Sequence, residues 1–335
     1  MWRSERGMND LPGSTVFVTG AAGLIGSHIV DELVREGARV VAYDNFVRGK
    51  LEHLDWARER GDVLFVEGDI RDQDKLRSAM RGASFVFHQA AAWLRMCQSE
   101  PRLSVDVNVV GTFNVLDACV ANGIKKIVAA SSSSVYGEGT YLPTDEAHPF
   151  NNDLFYGASK VANEQYYRSF HKKYGLDFVG LRYLNVYGPR QPYEAAYMDV
   201  VMHFLNRIDE DQPPVVRGDG SATVDLVFVE DVARANLLAM QSPVTNEFFN
   251  VASGKETTIG ELAHLLIRLR GKEGRLRPEF QLMDSGLVTR RWGDAKKARE
   301  MLGFEAGTSV EEGMKKVIAW REELRAKRGA FTPVK

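Results

Sequence analysis

The chain has 335 residues, 44% hydrophobic and 26% charged, the profile of a globular protein with ample residues for a core. Forty-three basic against 45 acidic side chains leave a net charge of −2, so nothing points to nucleic acid or an anionic membrane as partner. The two cysteines, Cys97 and Cys119, and the seven histidines show no metal-type spacing, so no metal is expected.

From the N-terminus, residues 1–10 are polar and of mixed charge, unlike a secretory signal. No apolar run is read as a membrane span, and the cytoplasm is the expected compartment. Residues 14–20 (STVFVTG) predict a buried strand, and 24–36 a helix with Leu24, Ile25, Ile29 and Leu33 on its apolar face. Runs at 39–45, 63–69, 83–89, 125–131 and 177–184 predict further strands. Helical patterns fill the gaps, notably at 102–121 and 154–174; the cysteines fall in helical stretches, where reduced, buried thiols are expected. Strands alternating with helices imply an α/β fold of the Rossmann type, a doubly wound parallel sheet. This domain is expected over 12–188.

Past Gly188 the pattern changes. Pro189, Pro192, Pro213 and Pro214 break the chain into loops around a helix at 197–207. A strand at 224–229 and a helix from Asp231 follow, and about the last 70 residues read as helices and loops. Residues 189–330 are expected to form a smaller, mixed α/β lobe for the substrate, interleaved with the first domain through late sheet elements within 224–260. The acidic run 209–211 reads as a solvated loop.

Gly20, Gly23 and Gly26 stand between the first strand and the first helix. Glycines there let backbone approach a pyrophosphate, and the helix N-terminus offers free N–H groups and a positive dipole. A merely tight turn would use glycines too, but the other strand ends agree. Asp44 ends the second strand about 20 residues on, where an acid can bind ribose hydroxyls. Its charge would repel a 2′-phosphate, which favours NAD over NADP. Asp69 and Ile70 end the third strand at the same edge, suited to adenine. After the fourth, Gln89, Ala90 and Ala91 leave room for a cofactor, while His88 reads as orienting backbone. Leu24, Ile25 and Asn45 complete the expected cofactor contacts.

Tyr156 and Lys160, in YGASK, are four residues apart and share one face of a predicted helix. An adjacent ammonium favours phenolate and lowers a tyrosine pKa towards the range of a general base. For an isolated motif, an exposed aromatic–cation pair is the plainer alternative.

Taken together, TGAAGLIG (19–26), YDN (43–45), GDI (68–70), HQAA (88–91) and NVVGT (108–112) form an ordered series. SSSSVYG (131–137), YGASK (156–160), RYLNVYGPR (182–190) and GDG (218–220) continue it. In these motifs the chain resembles the extended short-chain dehydrogenase/reductases, the NAD-dependent sugar-nucleotide epimerases and dehydratases, from about residue 14 to 320. The resemblance implies that Tyr156 is the general base and that Lys160 lowers its pKa and binds the nicotinamide ribose. It further implies that Ser132 bonds the reacting sugar oxygen, that Asn108 supports the cofactor site, and that Asn185 meets the phosphate side of the nucleotide. A UDP-sugar substrate, bound NAD and a homodimer built through helices 102–121 and 154–174 complete what it implies.

Dehydratases of this family carry acidic residues just after the catalytic Ser/Thr, and decarboxylases keep a glutamate at the second position. Here those positions are Ser133 and Ser134, which cannot act as carboxylates. The pattern therefore resembles the UDP-hexose and UDP-glucuronate 4-epimerases most closely, with Ser133 beside the sugar and a transient 4-keto intermediate. A dehydratase, decarboxylase or reductase is the alternative, with Glu138 as the nearest acid. A nucleotide sensor without activity would have no use for Tyr156, Lys160 and Ser132. Two arginines that usually meet the diphosphate are replaced, one by Val224 after GDG and one by Asp284, ten residues before Asp294. Arg190, Arg217, Arg290 and Arg291 are the candidates to supply that charge, each also readable as a solvated surface arginine. Arg291 lies near the position that gates the sugar pocket in epimerases, which leaves room for an acidic sugar. Trp93, Arg95 and Met96 read as pocket lining or as packing.

Overall fold

A computed structural model describes residues 10–193, 199–281 and 290–328. Its centre is a parallel seven-stranded sheet. The first strands are β1 (Thr15–Thr19), β2 (Arg39–Asp44), β3 (Val63–Glu67) and β4 (Phe85–His88). The others are β5 (Lys126–Ser132), β6 (Asp177–Tyr183) and, far along the chain, the edge strand Glu247–Val251. The order runs from that edge strand through β6, β5, β4, β1 and β2 to β3. The central strands are continuous apolar runs because helices cover both faces. On one face, α1 (Leu24–Arg35) packs through Ile29, Val30 and Leu33 against a later helix, Val229–Gln241. Helix α2 (Asp55–Arg60) joins the same face through Ala57, and on the other lie α3 (Gln73–Ala79), α4 (Leu94–Ser99), α5 (Thr112–Ala121) and α6 (Phe155–Tyr174).

The helix expected at 102–121 is continuous, but Ser104–Gly111 is π-helical, a rare geometry that is frequent at functional sites. By length and composition Ser104–Ala121 would suit a membrane span, against the expectation that no run does; half of it is buried within the protein.

Beyond β6 come β7 (Asn185–Tyr187), α7 (Val200–Asp209), β8 (Val215–Arg217), β9 (Thr223–Val224), β10 (Leu226–Phe228) and α8 (Val229–Gln241). The edge strand is β11, followed by β12 (Thr257–Thr258), α9 (Ile259–Leu269), β13 (Glu279–Gln281), α10 (Lys296–Leu302) and α11 (Val310–Arg328). Helices α7, α9 and α11 enclose a second core around Phe204, Leu205, Leu266 and Val317. The helix expected from 197 begins at Val200, where Asp199 caps it; Tyr197 lies outside the described residues.

Two expectations need correcting. The strand at 224–229 is broken at Asp225, whose buried carboxylate accepts from Ser253 N (2.8 Å), Ser253 Oγ (2.6 Å) and Gly254 N (3.1 Å). The chain turns there, so β9 pairs antiparallel with β12 and β10 pairs parallel with β7. The acidic run 209–211 is a solvated turn only at Glu210 and Asp211, since Asp209 is the last residue of α7. Asp209 is buried and bridges Arg270 (2.9 Å), Arg321 (2.9 Å) and Arg325 (2.7 Å), tying α7 to α11. Three guanidinium groups compensate for the desolvation of one carboxylate.

Candidate active site

A cleft of about 560 Å³ runs along the carboxyl ends of β1, β2, β3 and β4, where the strand order reverses. Gly20, Gly23, Leu24, Ile25 and Gly26 form one wall. Helix α1 has Gly23 as its N-cap, no side-chain cap and no acid in its first turn, so its N–H groups are available to an anion. Gly20 has φ +65°, and a Cβ there would lie 2.7 Å from Ala90 N. A Cβ at Gly26 would lie 2.0 Å from Gly20 O. This crowded backbone cradle fits a dinucleotide pyrophosphate.

Asp44, buried at the end of β2, accepts from Ala22 N (2.9 Å) and Phe46 N (2.8 Å). It thereby fixes the glycine loop while lining the cleft, and burial raises its pKa. Asn45 donates to Asp69 (2.9 Å), and Arg71 grips the same carboxylate at 2.9 and 2.8 Å. Chiefly through Arg71, Asp69 is held down to about 2. Ile70, Gln89, Ala90 and Ala91 also line the cleft. The Gln89 side chain is held by Asn236 (3.2 Å) and Tyr183 (3.1 Å). His88 is buried between Thr19 Oγ1 (2.7 Å) and Thr112 Oγ1 (3.0 Å), and burial pulls it down to about 3. It is a neutral strut between two hydroxyls, and the expected hold on backbone runs only through Thr19 Oγ1, which accepts from Ala90 N (3.3 Å).

Asn108 supports the cofactor site from behind and does not line the cleft. It is fully buried in the π-helical segment, where Oδ1 accepts from Ala92 N (2.7 Å) and Nδ2 donates to Ala92 O (3.0 Å) and Ser159 Oγ (3.1 Å). It reaches the cleft only through the loop it holds. Of the three residues after HQAA, Met96 lines the cleft, whereas Trp93 is stacked under Arg48 (4.6 Å) and, more loosely, Arg95 (5.8 Å).

Tyr156 lies in the first turn of α6, with Ser132 at the end of β5 acting on its phenol. Ser132 Oγ also accepts from Ser134 N (3.1 Å) and so caps the short turn carrying Ser133. Lys160 is buried one turn along, 5.7 Å from the Tyr156 ring centre, and donates to Ala130 O (2.8 Å). The electrostatics run opposite to the expected lowering. Burial pushes Tyr156 up to about 12; Ser132 and Arg48 pull it down, and Lys160 has no resolved part. Burial draws Lys160 itself down to about 8. Ser132 and Arg48 are thus the protein's own means of easing the phenol's ionisation.

Behind this pair lies a network that sequence reading missed. Glu164, one turn beyond Lys160, accepts from Ser131 Oγ (2.6 Å), Arg182 Nε (2.9 Å) and Arg182 Nη2 (2.7 Å). Arg182 continues to Tyr136 Oη (2.9 Å), which donates to Asn250 Oδ1 (2.6 Å). The signal was available: Tyr156, Lys160 and Glu164 share the four-residue spacing, and Arg182 interrupts an apolar strand.

The substrate candidates separate clearly. Arg190 pairs with Asp31 on α1 (2.7 Å) and lines the cofactor side of the cleft. Arg290 is bidentate on Glu256, at 2.9 and 2.5 Å. Arg217 is exposed at the end of β8. Arg291 is half-buried, with its backbone N–H on Thr223 O (3.2 Å). Asn185 donates through N (3.1 Å) and Nδ2 (3.3 Å) to Asp225 O, next to Val224. Asp284 lies outside the described residues. Glu138 is exposed.

Residues 16–252 match the model of the NAD dependent epimerase/dehydratase family. A protein of Methanocaldococcus jannaschii provisionally named UDP-glucose 4-epimerase is 39% identical, over 91% of this chain and 97% of its own length. The structure of a Thermotoga maritima UDP-glucose 4-epimerase with UDP-glucose superposes with a TM-score of 0.86 at 35% identity, covering 92% of this chain and 99% of that one. A Thermus thermophilus UDP-glucose 4-epimerase complexed with NAD gives 0.81 at 34% identity, covering 92% and 99%.

Proposed function

The chain belongs to the NAD dependent epimerase/dehydratase family, and from that premise we propose that it interconverts a UDP-hexose or UDP-hexuronate with its 4-epimer. Bound NAD supplies the acceptor that takes a hydride from the sugar and returns it. Tyr156 takes the proton of the 4-hydroxyl, and Ser132 donates a hydrogen bond to the same oxygen as it becomes a carbonyl. Lys160 would hold the ribose of the nicotinamide half. The keto-sugar turns over, and Tyr156 gives the proton back once the other face has been reduced. Gly20, Gly23 and Gly26 hold the pyrophosphate, Asp44 and Asn45 the adenosine ribose, and Asp69 and Ile70 the adenine edge.

The observation that carries this reading is the wall beside Tyr156. Ser132, Ser133 and Ser134 form it, and among the described residues the groups that act on the phenol are Ser132, Cys97 and Arg48, none of them a carboxylate. A dehydratase must protonate a departing hydroxyl, and serine cannot do so at neutral pH. Incubation with UDP-glucose or UDP-glucuronate, without added cofactor, is expected to give a product of unchanged mass. A product lighter by one water would overturn the assignment.

The same reading covers assembly and compartment. Val105, Val110 and Phe113 on the 104–121 helix, with Phe155 and Tyr174 on α6, are large exposed apolar side chains on two neighbouring helices. They suit a two-fold helical interface between copies in the cytoplasm, and sedimentation as a monomer at micromolar concentration would refute the dimer. Residues 12–188, with β11 added, serve as the cofactor domain, and 189–330 as the substrate lobe.

A further inference from the structure

Arg291, in the substrate lobe, is half-buried without an answering charge among the described residues. Arg190 is engaged by Asp31 and Arg290 by Glu256, but the guanidinium of Arg291 has no hydrogen bond or ion pair with any described residue. It is half-buried, and burial alone acts on its pKa, pulling it down. Holding a desolvated cation without a counter-charge costs stability, and such unsatisfied groups call for a partner from outside the fold.

The strand register says where this charge lies. Thr223 of β9 forms a parallel bridge with Arg290. Thr223 Oγ1 (2.6 Å) and Arg290 both bond Glu256, so these two side chains share one face. Side chains alternate along extended backbone, which puts Val224 and Arg291 together on the opposite face. The next residue, Asp225, gives its carbonyl to both N and Nδ2 of Asn185. Three segments distant in sequence therefore converge: Asn185, Val224 and Arg291. The unanswered Arg291 sits beside a valine and next to an amide anchored one residue away.

We infer that Arg291 neutralises the diphosphate of the sugar nucleotide, placing on the segment beside β9 the charge that the strand itself lacks at Val224. The inference rests on the sugar-nucleotide reading of the cleft and identifies how that substrate is gripped. A guanidinium can approach a diphosphate from either segment because its fork geometry presents paired donors.

The test uses the NAD-loaded protein, UDP as the probe, titration calorimetry and thermal melting. Arg291→Met is expected to weaken UDP binding about ten- to hundredfold, the range of one charge-assisted contact. It should leave the melting temperature without UDP unchanged or higher, since an unpaired buried charge is replaced by an apolar chain of similar length. Adding Val224→Arg to Arg291→Met should bring UDP affinity back to within about threefold of the parent. UDP binding by Arg291→Met within threefold of the parent would overturn the inference, as would a double variant that stays weak. So would a loss confined to UDP-glucuronate, which would make Arg291 an anchor for a sugar carboxylate. A parent protein that binds no UDP would bring down the sugar-nucleotide reading itself, an outcome visible before any variant is made.

Discussion

The cofactor wall of the cleft and the catalytic wall beside it are built from different materials. The cofactor wall is backbone: three glycines, an uncapped helix N-terminus and strand ends that crowd one another to within a Cβ. The catalytic wall is side chain: a phenol, a serine and an ammonium standing on a buried ion pair between Glu164 and Arg182. The first comes from short, contiguous segments. The second joins residues from β5, α6 and β6, far apart in sequence. They should therefore fail differently, one by crowding and the other by leaving a charge or a proton acceptor without its partner.

The sharpest separation comes from Tyr156→Phe. Only the ionisable oxygen leaves, so turnover should fall by at least about a thousandfold while NAD remains bound. Steady-state rates and the absorbance of the bound cofactor check both halves, and loss of NAD would show that the walls are not separable. Next in size is Glu164→Gln, which leaves Arg182 buried without its partner and should cost about 3–5 kcal/mol in urea unfolding. The double variant Glu164→Gln with Arg182→Met should recover much of this. A single-variant cost under about 1 kcal/mol would mean that the catalytic wall does not depend on the pair.

On the backbone wall, Gly26→Ala forces a Cβ to within 2.0 Å of Gly20 O. The cost should be about 1–3 kcal/mol, and here NAD retention after gel filtration should suffer more than stability. The smallest effect belongs to Asp69→Asn. The native carboxyl is depressed, mainly by Arg71, to about 2. Its stabilisation is therefore complete above the unfolded carboxylate range and is lost as pH falls through about 2. Arg71 is about half exposed, so the variant should cost less than about 1 kcal/mol at neutral pH. The gap between parent and variant should close between about pH 4 and 2; a gap that widened on acidification would reverse the sign argued here.

Much of this was legible in the residues themselves. The alternation of apolar runs and amphipathic stretches marked six of the seven sheet strands. The glycine spacing, Asp44, Asp69 and the YGASK motif located the site, because each acts through local geometry: a turn, a strand end, one helical face. Local geometry is what a short stretch of sequence determines. The break at Asp225 escaped notice because an apolar run looks the same whether or not its central carboxylate is satisfied by Ser253 and Gly254, some 28 residues away.

Tertiary structure alone decided which charges meet. Five candidate charged residues, Asp209, Arg190, Arg217, Arg290 and Arg291, look alike in sequence. Folding buries Asp209 under three arginines, assigns Arg190 to Asp31 and Arg290 to Glu256, leaves Arg217 exposed, and sets Arg291 beside Val224 with no partner among the described residues. It also set the direction of the Tyr156 shift. An i, i+4 lysine predicts a lowered phenol, whereas burial raises it and Lys160 turns to the Ala130 carbonyl. The physical reason is common to all of these. Propensity and periodicity act over a few residues, but the energy of a charge depends on its desolvation and on the groups that surround it in space, which only the assembled fold specifies.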